Sequence, residues 1–442
     1  MFKTLRNAWN ISEIRSKILF TLLIIALYRI GVAIPVPFVD YSAINLATGS
    51  TIMTDGILGY LNILSGGALA HSKMFALSVT PYINAQIIIQ LLTVAFPKLE
   101  EIAKDGEAGR RKIDKITRIM TVALAVITAI GYFFLLRQGG FIYKGGAHIV
   151  FKAIVMVACF TAGSALIMWL GEKIDEQGIG SGISMILFAN IVSGIPGIAS
   201  TFITGLQAEK DVQVWLKWVL GILTLLIVVG SLIFVTYMSD AERRIPVQYA
   251  KRVVGRKMYG GQNSNLPIKL NMSGVMPIIF ASTIVSFIPT VLTIVEYFTG
   301  AFKEKTFWYV VKHLFDADSA LYIILLFVLI IAFAYFYISI SFNPVEVSNN
   351  LMQQGGFIPG IRPGKPTVQY IKKVLNKIIL MGAFILGLIA CIPLILNAVS
   401  GGLLGVVSFS GSTLLIVVGV ILETVRELEA QMTMRHYKGF LE

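Results

Sequence analysis

Apolar residues along this chain come in long runs separated by short polar and basic stretches. Ten runs stand out, at roughly 18–36, 74–96, 117–136, 150–171, 182–204, 215–238, 273–295, 319–342, 376–396 and 403–422. About 20 residues of helix cross a hydrocarbon core, so each run has the length of one span. The runs lack the two-residue alternation of barrel strands, which argues against a β-barrel. The pattern predicts an all-α membrane protein with ten transmembrane helices. The fifth run, ISMILFANIVSGIPGIASTF, is the weakest, because it holds Gly194, Pro196 and Gly197. The spacing suggests two five-helix halves, 18–205 and 206–422, jointed near 205–215. Residues 1–17 read as an amphipathic leading segment and 423–442 as a tail. An odd number of spans per half inserts the halves with opposite topology, and inverted repeats place a pathway at their interface.

Composition removes the competing classes. Of 442 residues, 56% are hydrophobic and only 14% charged, against about 25% charge in soluble domains. That shortfall excludes an ordinary soluble globule and a disordered chain. The two cysteines, Cys159 and Cys391, lie far apart inside apolar runs, which excludes a disulfide framework. The start, MFKTLRNAWNISEIRSK, is basic, and the run after it is long and has no small-residue cleavage site. It reads as a surface helix leading into a retained span.

Charge then sets orientation. Lys and Arg number 37 and acidic residues 24, a net +13. With ten spans both termini share a side, together with the loops near 97–117, 171–181, 239–272 and 341–375. That side and its span ends carry 27 basic and 16 acidic residues, net +11, leaving 10 and 8, net +2, for the other. Positive residues stay inside, so the basic side is expected to be cytoplasmic.

The span interiors are nearly free of charge, whereas ion-coupled transporters keep titratable groups at mid-depth. Arg29 is the main exception, and its bland reading is a snorkelling arginine. His148 and His313 fall in outer loops and His71 just precedes the second span, so a proton relay or metal site has little material. The single Gly-Lys pair, Gly364-Lys365, is followed by Pro366 and makes no phosphate-binding loop. Work, if done, is powered by a partner.

Three kinds of segment fit neither span nor simple loop. Residues 56–73, GILGYLNILSGGALAHSK, are too short and glycine-rich to cross; such a segment is either re-entrant or flat on the interface. In the second span Val79, Ile83 and Ile87 recur at four-residue steps, as do Ile183 and Leu187 in the fifth, a spacing that by itself means ordinary helix packing. Loop 239–272 carries seven basic residues against two acids, net +5, and its tip has the composition of a hairpin. Loop 341–375, with NPVEVSNNLMQQGGFIPGIRPGKPT, reads as a fixed, turn-rich loop rather than a helix. From charge alone these loops serve topology or dock an anionic surface equally well.

Nine strings, in order, carry a family resemblance: SGGAL at 65–69, PYINAQIIIQLLT at 81–93, GEAGRRKIDKITR at 106–118, GEKIDEQGIGSGIS at 171–184, RRIPVQYAKR at 243–252, LPIKLNMSGVMPIIFAS at 266–282, FNPVEVSNNL at 342–351, GGFIPGIRPGKPT at 355–367 and GSTLLIVV at 411–418. The chain resembles the SecY family, the central subunits of the bacterial protein-conducting channel, over essentially its whole length. The resemblance implies an hourglass channel, not an enzyme, that passes unfolded secretory chains across the cytoplasmic membrane and releases transmembrane helices sideways. Matching motif to motif, it implies an apolar pore ring of Val79, Ile83, Ile183, Leu187, Ile279 and Ile416; Val79 is smaller than the isoleucine common there. It implies a re-entrant plug at about 57–72, including Leu64, Ser65, Gly66, Gly67, Ala68 and Leu69. The second, third, seventh and eighth spans would form a lateral gate, with Asn84, Gln90, Thr128 and Ser282 as polar seam contacts; Thr128 stands where relatives often have an amide. Lys251, Arg252, Arg256, Lys257 and Arg362 would dock the ribosome or the SecA ATPase, with Arg110 and Arg111 as weaker candidates in an acid-rich loop. Implied partners are SecE and SecG, SecA, ribosomal RNA and proteins, signal sequences and nascent polypeptides, membrane lipids, and further SecDF and YidC. No cofactor or metal is implied. An inverted-repeat secondary transporter and a pore-less insertase or scaffold are the rival readings.

Overall fold

The apolar runs fold as helices because lipid offers no hydrogen bonds and a helix satisfies its own backbone; Pro196 in the fifth run and Pro393 in the ninth are carried inside helices. In this computed structural model the described residues are 2–47, 62, 65–143, 145, 148–208, 214–249, 252–254, 257–259, 263–272, 274–285, 319–399 and 410–438. The helices are α1 (Phe2–Asn10), α2 (Ser12–Ala33), α3 (Tyr41–Ala47), α4 (Thr80–Ala95), α5 (Pro97–Lys104), α6 (Gly106–Gln138), α7 (Ile149–Gln177), α8 (Gly182–Ala208) and α9 (Val214–Asp240). They continue with α10 (Met276–Val285), α11 (Ala320–Ser341), α12 (Pro344–Gln353), α13 (Lys365–Val399) and α14 (Ser410–Lys438). Helix occupies most of the described part of each of the ten predicted runs. Among the described residues five helices are long and apolar enough to cross a membrane alone, and six if α4 and α5, bent by 103°, form one span. Residues 286–295 of the seventh run and 403–409 of the tenth lie outside the described residues.

Several boundaries differ from the sequence reading. The second span starts at Thr80 rather than near 74, because residues 65–79 are almost all turns and Pro81 sits in the first helical turn, where its missing N–H costs nothing. Helix α6 begins at Gly106, eleven residues before the predicted apolar run; its 33 residues span about 50 Å at 1.5 Å per residue. It therefore outreaches a core of about 30 Å and carries the basic string of residues 110–118 beyond it. The expected turn-rich loop 341–375 contains a helix, α12: the Asn343 side chain accepts from Val345 N–H at 3.1 Å and Pro344 opens the helix, a strong start signal that the later glycines obscured.

The loop after α9 folds as strands. β1 (Glu242–Tyr249) pairs antiparallel with β4 (Asn263–Lys269), from Glu242↔Lys269 to Gln248↔Asn263. Beyond it β2 (Arg252–Val254) pairs with β3 (Lys257–Tyr259), so the predicted hairpin exists in two tiers. The other edge of β1 takes β5 (Gly356–Phe357), giving the order β4–β1–β5 and joining the two long loops in one sheet. Ile245 and Ile268 on this sheet, with Ile358, pack on Ile338 of α11 and Ile371 of α13.

Segments predicted to share a side touch one another. Arg118 pairs with Glu172 at 2.7 Å, Arg426 with Asp240 at 2.9 Å, and Gly180 N–H donates to Glu427 at 2.9 Å. At the other end Val39 bridges Ile142 and Pro35 bridges Lys73. Exposed Leu22, Leu23 and Ile30 on α2 and Ile324 on α11 face outward, as in a protein whose solvent is lipid.

Candidate functional site

Four elements converge at the centre. Val79 caps the start of α4 and Ile83 lies one turn in; Ile183 and Leu187 occupy the first two turns of α8; Ile279 lies on α10 and Ile416 on α14. All six are buried, none more than 9% exposed, and all belong to one contiguous apolar cluster with no charged member. The four-residue steps of α4 and α8 thus belong to one buried cluster with Ile279 and Ile416, residues far away in sequence.

The plug candidate reaches the same cluster. Ala68 is one of its buried members, 1% exposed. Residues 65–70 fold around Asn62, whose carbonyl accepts from Gly67 N–H at 2.9 Å and whose side chain accepts from Ala70 N–H at 2.9 Å; Ser65 Oγ accepts from Leu69 N–H at 3.0 Å. Gly66 and Gly67 have φ of +65° and +86°. Gly66 is needed twice over, for a Cβ there would stand 2.8 Å from Arg29 Nη1 and 2.8 Å from Asn190 Oδ1. Leu64 lies outside the described residues.

Arg29 does not snorkel. Its guanidinium turns inward and donates to the Ala189 carbonyl and the Ser193 hydroxyl of α8. Asn190, a lone amide in an apolar run and fully buried, faces the plug beside it. An amide or arginine at span depth signals function by its cost. That signal was present for Asn190 in the sequence, whereas its alignment with Gly66 was not.

The seam candidates are less organised. α4 packs along α6, and α11 along α13. Asn84 is half-buried, and Gln90 Oε1 is buried without a hydrogen-bond partner among the described residues. Thr128 donates to the Leu124 carbonyl of its own helix at 2.8 Å, and Ser282 to the Ile279 carbonyl at 3.0 Å.

The docking candidates lie at the sheet end. Arg362 is exposed on a turn bounded by Gly360 and Gly364 at φ of +81° and +93°; its carbonyl, not its side chain, holds the turn by accepting from Thr367 Oγ1 at 2.9 Å. Lys257 borders the tip of the outer hairpin, in register with Val254, and Arg252 lies at the other end of its ladder, in register with Tyr259. Lys251 and Arg256 lie outside the described residues. Arg110 and Arg111 are exposed on the protruding foot of α6, and Arg111 pairs with Glu107 at 2.8 Å, a surface pair worth little. Asp175, near the end of α7, accepts from Gly182 N–H at 2.7 Å.

These features define a class: a multi-span helical membrane protein whose bundle closes on an oily centre, with a turn-rich segment wedged into it from one end. The family model of SecY matches residues 73–425. The chain is 42% identical to the protein translocase subunit SecY of Streptomyces coelicolor, over 100% of both chains. Its fold is similar to that described as "The structure of a protein conducting channel", with a TM-score of 0.65 at 16% identity, covering 95% of this chain and 92% of that one. It is also similar to "Sec61 in the Canine ribosome-channel complex from the endoplasmic reticulum", TM-score 0.61 at 15% identity, with the same coverage. The chain belongs to the SecY family and is a multi-pass, protein-conducting channel subunit.

Proposed function

We propose that this channel is shut at rest by two stacked devices and opened by a partner docked on its basic end. Val79, Ile83, Ile183, Leu187, Ile279 and Ile416 form the collar; an apolar constriction excludes ions by dewetting and deforms around any polypeptide, because it asks no hydrogen bond of its substrate. Residues 57–72 form the plug. The basic end faces the cytoplasm of a bacterial inner membrane, a reading that its +11 surplus supports, with both termini on that side. SecA or the ribosome docks on the 239–272 and 341–375 loops, with SecE and SecG as small membrane subunits. Docking loosens the seam of the second, third, seventh and eighth spans, a signal sequence intercalates, the plug leaves, and the chain threads the collar. Polar contacts across such a seam contribute on the order of 0.6 kcal/mol each, weak enough for an arriving helix to replace. Binding and motion, rather than bond chemistry, are the channel's own contribution.

The observation that carries this reading is that the six collar residues and Ala68 of the plug share one buried apolar cluster. A photo-crosslinker placed at Ile83 is expected to capture a secretory chain stalled in transit. Capture only of lipid or of a small solute would favour the transporter, and no capture at all the pore-less scaffold.

Gly66→Ala tests the plug separately. The left-handed backbone and the contacts to Arg29 and Asn190 oppose any side chain there, so the closed plug should weaken by about 1–3 kcal/mol. Resting ion conductance should rise while membrane insertion stays normal; unchanged conductance would remove residue 66 from the seal.

A further inference from the structure

We infer that the Tyr132 hydroxyl is the tether by which α6 holds the segment leaving the plug, so that displacement of α6 and release of the plug are coupled. This rests on the reading of 57–72 as plug and α6 as a gate helix. Tyr132 lies within the last two turns of α6. Its Oη donates to the Leu69 carbonyl at 2.5 Å and is 2.8 Å from Ser72 Oγ. With the one phenolic proton on Leu69 O, Ser72 Oγ supplies the proton of the second bond, so both hydroxyls are satisfied. Leu69 O accepts a second hydrogen bond from Ser72 N–H at 3.0 Å, closing a tight turn in which Ser72 holds φ of +49°.

A tyrosine near the end of a span ordinarily belongs to the interfacial belt, with its hydroxyl in water. Tyr132 does not. It is 7% exposed, and Phe160 of α7 sets its ring edge-on at 5.1 Å. Leu69 lies with it in the apolar cluster formed by α6 and α7, whereas Ala68, one residue earlier, lies in the cluster of the collar. One peptide step therefore crosses from the seal to the gate helix. α6 can leave its place only by breaking two buried hydrogen bonds or by drawing residues 69–72 after it. Either way the plug loses its downstream anchor when the helix moves.

The test uses the channel complex in proteoliposomes and reads resting ion conductance, plug position from a fluorescent label, and export of a preprotein with a defective signal sequence. Tyr132→Phe and Ser72→Ala each delete the shared bond from a different side. Ser72→Ala loses that bond alone and should raise resting conductance about tenfold, the scale of one buried hydrogen bond; Tyr132→Phe also loses the bond to the Leu69 carbonyl and should raise it further. Both should displace the plug without a signal sequence and admit the defective preprotein. The double variant should go no further than Tyr132→Phe. Wild-type conductance in both single variants, or additive effects in the double, overturns the tether and leaves Tyr132 a packing residue. The collar variant carrying Ile83→Gly and Ile183→Gly runs beside them: if it leaks and they do not, only the tether falls; if it does not leak either, the collar assignment falls with it.

Discussion

The Arg362→Glu chain is expected to insert into the membrane normally and to export almost nothing. The side chain is exposed, and the turn beneath it is held by backbone and by Thr367 rather than by the guanidinium. A surface exchange of that kind changes stability by about 0.5 kcal/mol or less. The consequence falls on docking. Reversing a charge that meets an acidic or phosphate surface replaces attraction by repulsion and costs about 2 kcal/mol or more, roughly thirtyfold in affinity. Because β5 pairs with β1, the two long loops meet in one sheet, and a partner that loses Arg362 loses its hold on one of the two loops it docks on. The measurement is translocation of a preprotein into vesicles of equal channel content. Export at the wild-type rate would remove Arg362 from the docking surface.

Much of the architecture was legible because apolar run length is a one-dimensional signal. Helix fills most of the described part of every predicted run, and the grouping of loops by charge agrees with the contacts Arg118–Glu172 and Arg426–Asp240. Helix ends were less legible. The polar foot of α6 is helical because the string 106–118 is rich in helix formers, which a search for hydrophobicity passes over. The pairing of β1 with β5 joins positions about a hundred residues apart, and no local pattern announces it. The site divides the same way. The collar came from four-residue steps whose meaning only the family motifs supplied, and the fold brings the six together. Tyr132, Ser72 and Asn190 stayed hidden. Each is a single polar residue in an apolar or mixed run, and its role depends on what stands opposite in space.

Replacing Ile83 and Ile183 by glycine tests whether the bundle centre keeps the membrane tight. Both side chains are buried, at 4% and 9% exposure, Ile83 one turn into α4 and Ile183 at the start of α8. Glycine removes two aliphatic branches from a six-residue collar and leaves a gap that lipid cannot fill, because the rest of the cluster stands between it and the bilayer. A constriction that stays dry only while narrow and apolar then wets, and wetting is what lets ions through. The resting complex should conduct measurably without any preprotein, and defective signal sequences should be accepted, because a weakened seal lowers the cost of opening. Two glycines near helix starts also cost about 1 kcal/mol each in helix stability. An Ile83→Leu, Ile183→Leu chain therefore serves as control: it keeps apolar volume and should stay tight. Equal leak from both variants would assign the effect to disturbed packing. No leak from the glycine variant, with signal selectivity intact, would mean that the seal lies elsewhere, and the polar latch of Arg29, Asn190 and Gly66 would be the next place to look.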